Sequence, residues 1–202
     1  MRFSRFAALV LSLVTALSLA LPAQAAEGDG WLIPKVKDTP SFTDTVGSWC
    51  QSEVETVYES GLMEGQTAER FNPQGTLMPE HIVAVCARLY SLLTGGDGTV
   101  APAQEGQAWY QPYYDYLAQA LAYEGGADAL MLNFHAKRHA FVELLSLTLE
   151  AAKVELPGIN AVTVLPDSTD PAVLAFYNAG ILAGTDQYGT FDGNGILNRS
   201  QA

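Results

Sequence analysis

Two arginines occupy positions from which an anion could be gripped. Arg138 and Arg199 lie 61 residues apart, each at the start of a stretch able to open a helix. A guanidinium is a planar fork of donors that matches a carboxylate with two parallel hydrogen bonds. A helix N-terminus adds backbone N–H groups and the positive end of its dipole. Lys137 and Asn198 stand beside the two arginines, and Trp49 and Trp109, 60 residues apart, could offer flat faces to a ligand. A plainer reading uses the same residues: the arginines pair with Asp or Glu and hold segments together, and the tryptophans fill core.

Other chemistry is less well supported. His135, His139 and Glu143 recur every four residues, a metal-like spacing. Lys137 and Arg138 sit among them, so a solvated helix start explains the pattern more simply. Thr190 to Gln201 carries Asp192, Asn194 and Gly195 and half resembles a calcium loop. Its first position is Thr and its twelfth is Gln, where Asp and Glu are required. No glycine-rich phosphate loop, HExxH pair or nucleophile elbow is present. Glu53 and Glu55 read as helix-surface acids rather than a glycosidase pair. No cofactor, no metal and no catalytic activity are expected.

These residues sit in a chain of 202, with 49% hydrophobic and 16% charged residues, enough apolar content to bury a core. Ten Lys and Arg against 22 Asp and Glu give a net charge of −12, which argues against nucleic acid and anionic membrane surfaces as partners. The N-terminus reads as an address. Arg2 and Arg5 precede an apolar run from Phe6 to Leu21, followed by Ala23-Gln24-Ala25. That is the pattern of a cleavable signal peptide over residues 1–25, too short for a comfortable span. The mature product is expected to be exported, with no membrane segment and a net charge of −14 once Arg2 and Arg5 are gone. Cys50 and Cys86 lie on apolar helical faces. Two buried thiols are the simpler expectation, and a single bridge is the alternative.

The chain is punctuated by soft segments at 26–40, 95–106 and 156–170, leaving three segments of similar size. Trp49 and Trp109, and Gly65 and Gly125, are each 60 apart. Val54, Val57-Tyr58, Gly61-Leu62 and Gly65 recur 119 residues later as Val173, Phe176-Tyr177, Gly180-Ile181 and Gly184. Phe71 and Phe191 are 120 apart, and Pro79, Arg138 and Arg199 share a register. The period is about 60 residues, with three copies.

Each copy reads as helix, glycine loop, helix. In the first, Val54, Val57, Tyr58 and Leu62 form an amphipathic stripe and Gly61 suits the residue after the helix end. Pro79-Glu80 opens a second helix with Ile82, Val85-Cys86, Leu89 and Leu93 inward. In the second copy, helices are expected over 113–123 and 137–151, the latter burying Phe141, Leu144-Leu145 and Leu149. In the third, Asp170 caps a helix that starts at Pro171 and stops at Gly180. No segment alternates as a strand does. An all-α array follows, whose helix pairs must pack on one another.

The third copy, through Leu165-Pro166-Asp167-Ser168, Phe176-Tyr177-Asn178-Ala179-Gly180-Ile181-Leu182-Ala183-Gly184, Tyr188-Gly189-Thr190-Phe191 and Leu197-Asn198-Arg199-Ser200-Gln201, resembles the S-layer homology domain. The first resembles it through Phe42-Thr43-Asp44, Trp49, Gly61-Leu62-Met63-Glu64-Gly65 and Phe71-Asn72-Pro73, the second through Trp109-Tyr110 and Ala136-Lys137-Arg138. The resemblance spans roughly 41–202, divided as 41–94, 107–155 and 156–202.

That resemblance implies three helical modules around a shared bundle. It further implies a non-catalytic module of exported bacterial proteins that binds secondary cell-wall polysaccharide, often pyruvylated, without a covalent bond. The family places Arg in an Ile/Leu-Thr-Arg-Ala-Glu motif; Arg138 and Arg199 keep it and Pro79 replaces it. On this footing Arg138, Arg199, Lys137, Asn198, Trp49 and Trp109 are the expected glycan contacts, at the cell surface. The alternative is a degenerate relative that binds other envelope proteins instead. The family's last helix would run about ten residues past Ala202, so apolar surface is expected around Phe176, Ile181 and Leu197. Asp44 and Asp167 read as caps or turn formers.

Overall fold

A computed structural model describes residues 33–202. The expected signal peptide and the first residues after it lie outside the described part. Among the described residues there are six α-helices, one short 3-10 turn and no strand: α1 Gln51–Glu59, α2 Pro79–Leu93, α3 Gln111–Ala120, α4 Gly126–Asn133, α5 Arg138–Ala151, α6 Pro171–Asn178, and the turn Arg199–Gln201. The all-α expectation holds. No helix among the described residues is long and apolar enough to cross a membrane.

Local chemistry sets most helix ends where the sequence places them. Pro79 and Pro171 sit in the first turns of α2 and α6, where a missing N–H costs nothing. The Asp170 carboxylate accepts from Ala172 N at 2.8 Å and Val173 N at 3.4 Å, capping α6. Beyond α1 and α6 the chain turns left-handed at Gly61 (φ 74°) and Gly180 (φ 74°), a conformation open to glycine at little cost. One helix was not foreseen. Gly125 (φ 83°) and Gly126 (φ 69°) reverse the chain after α3 and let Ala127 to Asn133 coil as α4. α3 itself closes earlier, at left-handed Ala122 (φ 46°), with Tyr123 N donating to Ala118 O at 2.9 Å, and the glycines that read as loop begin the next helix.

The described residues form two compact units, one of Pro34–Lys137 with Ile196–Ala202, the other of Arg138–Gly195 with Ile33. In the larger unit α2 packs on α3 and α3 on α4. Phe42, Phe71, Leu77, Ile82, Leu117, Leu130 and Leu197 are buried there. In the smaller unit α5 packs on α6, over Val142, Leu144, Val173, Phe176 and Phe191. Cys50 and Cys86 are both buried and are not joined by a disulfide.

The expected apolar surface near the C-terminus needs correction. Phe176 and Leu197 are fully covered, and Ile181 is half-buried. Leu197 is drawn into the larger unit because its carbonyl accepts the Leu77 N–H at 2.9 Å. The exposed apolar neighbour is Ile196.

Candidate functional site

Asp44 and Asp167 do the same work in different units. The Asp44 carboxylate accepts Phe71 N at 2.9 Å on one oxygen and Asn72 N at 2.8 Å on the other. Asp167 accepts Phe191 N and Asp192 N, each at 2.8 Å. Asn72 (φ 59°) and Asp192 (φ 53°) are both left-handed, and Gly75 N and Gly195 N close the turns onto their carbonyls. Burial opposes the charge on Asp44. The amides of Phe71 and Asn72, with Arg70 nearby, outweigh it and hold the carboxyl below its ordinary 3.8.

A following segment lies over each loop. In the larger unit, Arg199 N donates to Gly75 O at 2.9 Å and Ser200 N to Pro73 O at 3.0 Å. In the smaller unit, Arg138 N donates to Gly195 O at 3.0 Å and His139 N to Gly193 O at 2.9 Å. The two arginines thus sit in matching backbone settings, but their side chains differ. Arg199, only 9% exposed, donates from Nε to Phe71 O at 2.9 Å and from Nη2 to Glu64 O. Its guanidinium carbon lies 4.4 Å from the centre of the Phe71 ring. Burial lowers its pKa, and Asp44 pulls it back up. The carboxylate grip expected of Arg199 is therefore corrected: the fork turns inward and is spent on carbonyls, because an arginine enclosed this far must satisfy its donors within the protein. Arg138 is half-buried at the start of α5, and its Nε is buried with no hydrogen-bond partner.

The other expected contacts lie in the larger unit. Lys137 is exposed and forms an isolated antiparallel bridge with Ile196. Asn198 forms a similar bridge with Thr76, donates to Gln74 Oε1 at 3.2 Å and accepts from Ser200. Trp49 is 69% exposed on the turn before α1. Trp109 is 48% exposed and braced on several sides. His81 stacks on it with ring centres 5.6 Å apart, and Tyr110 and Tyr113 meet it edge-on at 5.8 and 6.1 Å. Arg88 fixes Tyr113 in turn, donating to its hydroxyl at 2.9 Å. The expectation that the tryptophans fill core fails for both. His81 and Tyr113 had not been foreseen as part of this face. The signal for His81 was its place beside Pro79, in the stretch Met78-Pro79-Glu80-His81.

His139, considered for a metal, instead places Nε2 3.0 Å from Asp170 Oδ2. Among the described residues no three His, Cys, Asp or Glu side chains are arranged to hold a metal ion. An open cleft of about 480 Å³ is lined by Lys35, Lys37, Thr39 and Glu59. Its lysines are engaged with acids, Lys35 with Glu59 at 2.7 Å and Lys37 with Glu64.

Residues 41–77 match the family model of the S-layer homology domain. Domains of this family anchor proteins at the cell surface to polymers of the wall and are not themselves catalytic. The matched stretch runs from Ser41 to Leu77 and so holds both Asp44 and the loop it clamps. Neither a curated protein nor a solved structure matches the chain.

Proposed function

We propose that this chain is a non-catalytic anchoring module that binds secondary cell-wall polysaccharide non-covalently, with an acidic glycan of the pyruvylated kind as its ligand. One observation carries the reading: an exposed indole, Trp109, is held rigid by His81, Tyr110 and Tyr113 in the unit that contains the matched segment. A fixed aromatic face takes the apolar side of a pyranose without first paying to order itself. Trp49, Lys137 and Asn198 belong to the same unit and extend the candidate surface. Arg138, in the other unit, is a separate contact: its side chain is only half-buried, although its Nε is enclosed and out of a ligand's reach. Arg199 has a supporting role, holding the loop it crosses. Export and a place at the cell surface belong to this reading, through the signal-like N-terminus.

The test is a pull-down with purified walls before and after polysaccharide extraction. Binding lost on extraction, and lost in Trp109→Ala with the fold intact by circular dichroism, is the expected result. A second reading, a degenerate module that packs against other envelope proteins, draws on the inward turn of Arg199 and on Pro79 in place of arginine. Binding that survives extraction would favour it.

A further inference from the structure

His81 bears on the one place where the motif is broken. Pro79 removes the cation that the first copy would carry, yet two residues on an imidazole lies flat against Trp109. Its Nδ1 accepts the Met78 N–H at 3.3 Å, which leaves the proton of the neutral ring on Nε2. Two charged groups act on the ring, Glu80 on its own helix and Arg199 from the 3-10 turn, and the titratable Tyr110 and Tyr113 pack against the tryptophan it stacks on. Burial opposes its charge, Glu80 favours it and Arg199 opposes it, with a net pKa below 6.5. Near neutral pH the ring is uncharged. Protonation would end the bond from Met78 N–H but turn the stack into a cation–π contact, so the ring can keep its place.

We infer that His81 is a specificity-determining residue of the Trp109 face, supplying a proton-dependent cation that favours carboxylate-bearing sugars as the pH falls. The inference rests on the anchoring reading. Trp109 keeps 48% of its surface exposed with His81 lying against it, ring centres 5.6 Å apart, so a sugar packed on the exposed part of the indole brings an anionic substituent into the field of a charged His81. Ligand carboxylate and His81 proton then stabilise each other, so the affinity rises as the ring takes up its proton. In a chain of net charge −12, a cation at that rim also offsets the general repulsion of an acidic polymer.

The experiment uses the full chain and two probes, a pyruvylated wall polysaccharide and the same polymer after mild acid removal of its ketals. Dissociation constants are measured at about pH 5 and about pH 8. The wild type is expected to bind the pyruvylated polymer about five- to tenfold more tightly at the lower pH, with His81→Gln nearly flat. The ketal-free polymer should show no such slope. A wild-type affinity for the pyruvylated polymer that does not change with pH, or a slope kept in His81→Gln, overturns the inference while leaving anchoring intact. Absence of binding at both pH values removes the anchoring reading, and this one with it. Ligand-free tryptophan fluorescence gives an independent check. Protonated imidazole quenches a stacked indole, so emission should fall below pH 6.5 in the wild type and not in His81→Gln. Identical titrations would overturn the inference.

Discussion

In the larger unit Asp44 holds the amides of Phe71 and Asn72, and in the smaller unit Asp167 holds those of Phe191 and Asp192. Both loops then turn left-handed and accept two backbone N–H groups from a segment headed by an arginine. The side chains break the likeness. Arg199 is enclosed and spends its fork on Phe71 O and Glu64 O, whereas Arg138 is half-buried with its Nε unmatched. One backbone frame thus supports two uses of one residue type. Their exposure differs: Arg199 is enclosed and met by the protein at two carbonyls, whereas Arg138 is half-buried and keeps an enclosed Nε without a partner.

The largest expected effect tests that contrast directly. Arg199→Ala strips donors from two carbonyls and a cation from the Phe71 ring, and should cost about 3 kcal/mol or more in urea unfolding. Arg138→Ala should cost less than about 1 kcal/mol, since its Nε gives up no bond. Equal losses would show that the two arginines do the same job.

Next come the clamps. Asp44→Ala and Asp167→Ala each remove two charge-assisted bonds to backbone amides and should cost about 2–3 kcal/mol apiece. A marked inequality would break the likeness of the loops. Asp44 also carries a pH signature. Its folded pKa lies below 3.8, so its contribution is complete above the ordinary carboxylate value and fades as the pH falls through the lowered one. Acid unfolding of the wild type should therefore be steeper below about pH 4 than that of Asp44→Asn.

A smaller effect is expected at a matched pair of glycines. A Cβ at Gly65 would lie 2.5 Å from the Phe42 ring and 2.6 Å from Thr67 O, and one at Gly184 would lie 2.6 Å from Gly189 Cα. Each alanine variant should lose about 1–2 kcal/mol by thermal melting. Gly184→Ala should lose more, since Gly184 is also left-handed at φ 87°. The smallest effect belongs to the smaller unit alone. Asp170→Ala removes the cap of α6 and the partner of His139, worth about 1 kcal/mol. No change on that substitution would mean the cap is redundant with Pro171.

The helical class and most helix ends were legible because they rest on neighbours in sequence. Proline in a first turn, aspartate before it and glycine after the last turn act within a few residues. The roles of Asp44 and Asp167 as turn formers were legible in kind, though not that each would reach 27 and 24 residues ahead to hold its loop. α4 was not legible, because its glycines act as loop or as helix boundary according to what packs beside them. The inward stripe of α2 was only partly right. Ile82, Cys86 and Leu93 are buried as expected, but so are Val83, Ala84 and Ala87, since α3 covers a second side.

The candidate site divides in the same way. Spacing alone singled out Trp49, Trp109, Arg138 and Arg199, and local rules put the last two at the starts of helical turns. The direction of each side chain was settled by segments far off in the chain. Arg199 meets Phe71 O across 128 residues and Glu64 O across 135, and Trp109 is braced by a histidine 28 positions away. Backbone preference is a local property, carried by each residue and its neighbours. Which donor is enclosed and which face stays open depends on how distant segments close over one another, and only the folded chain determines that.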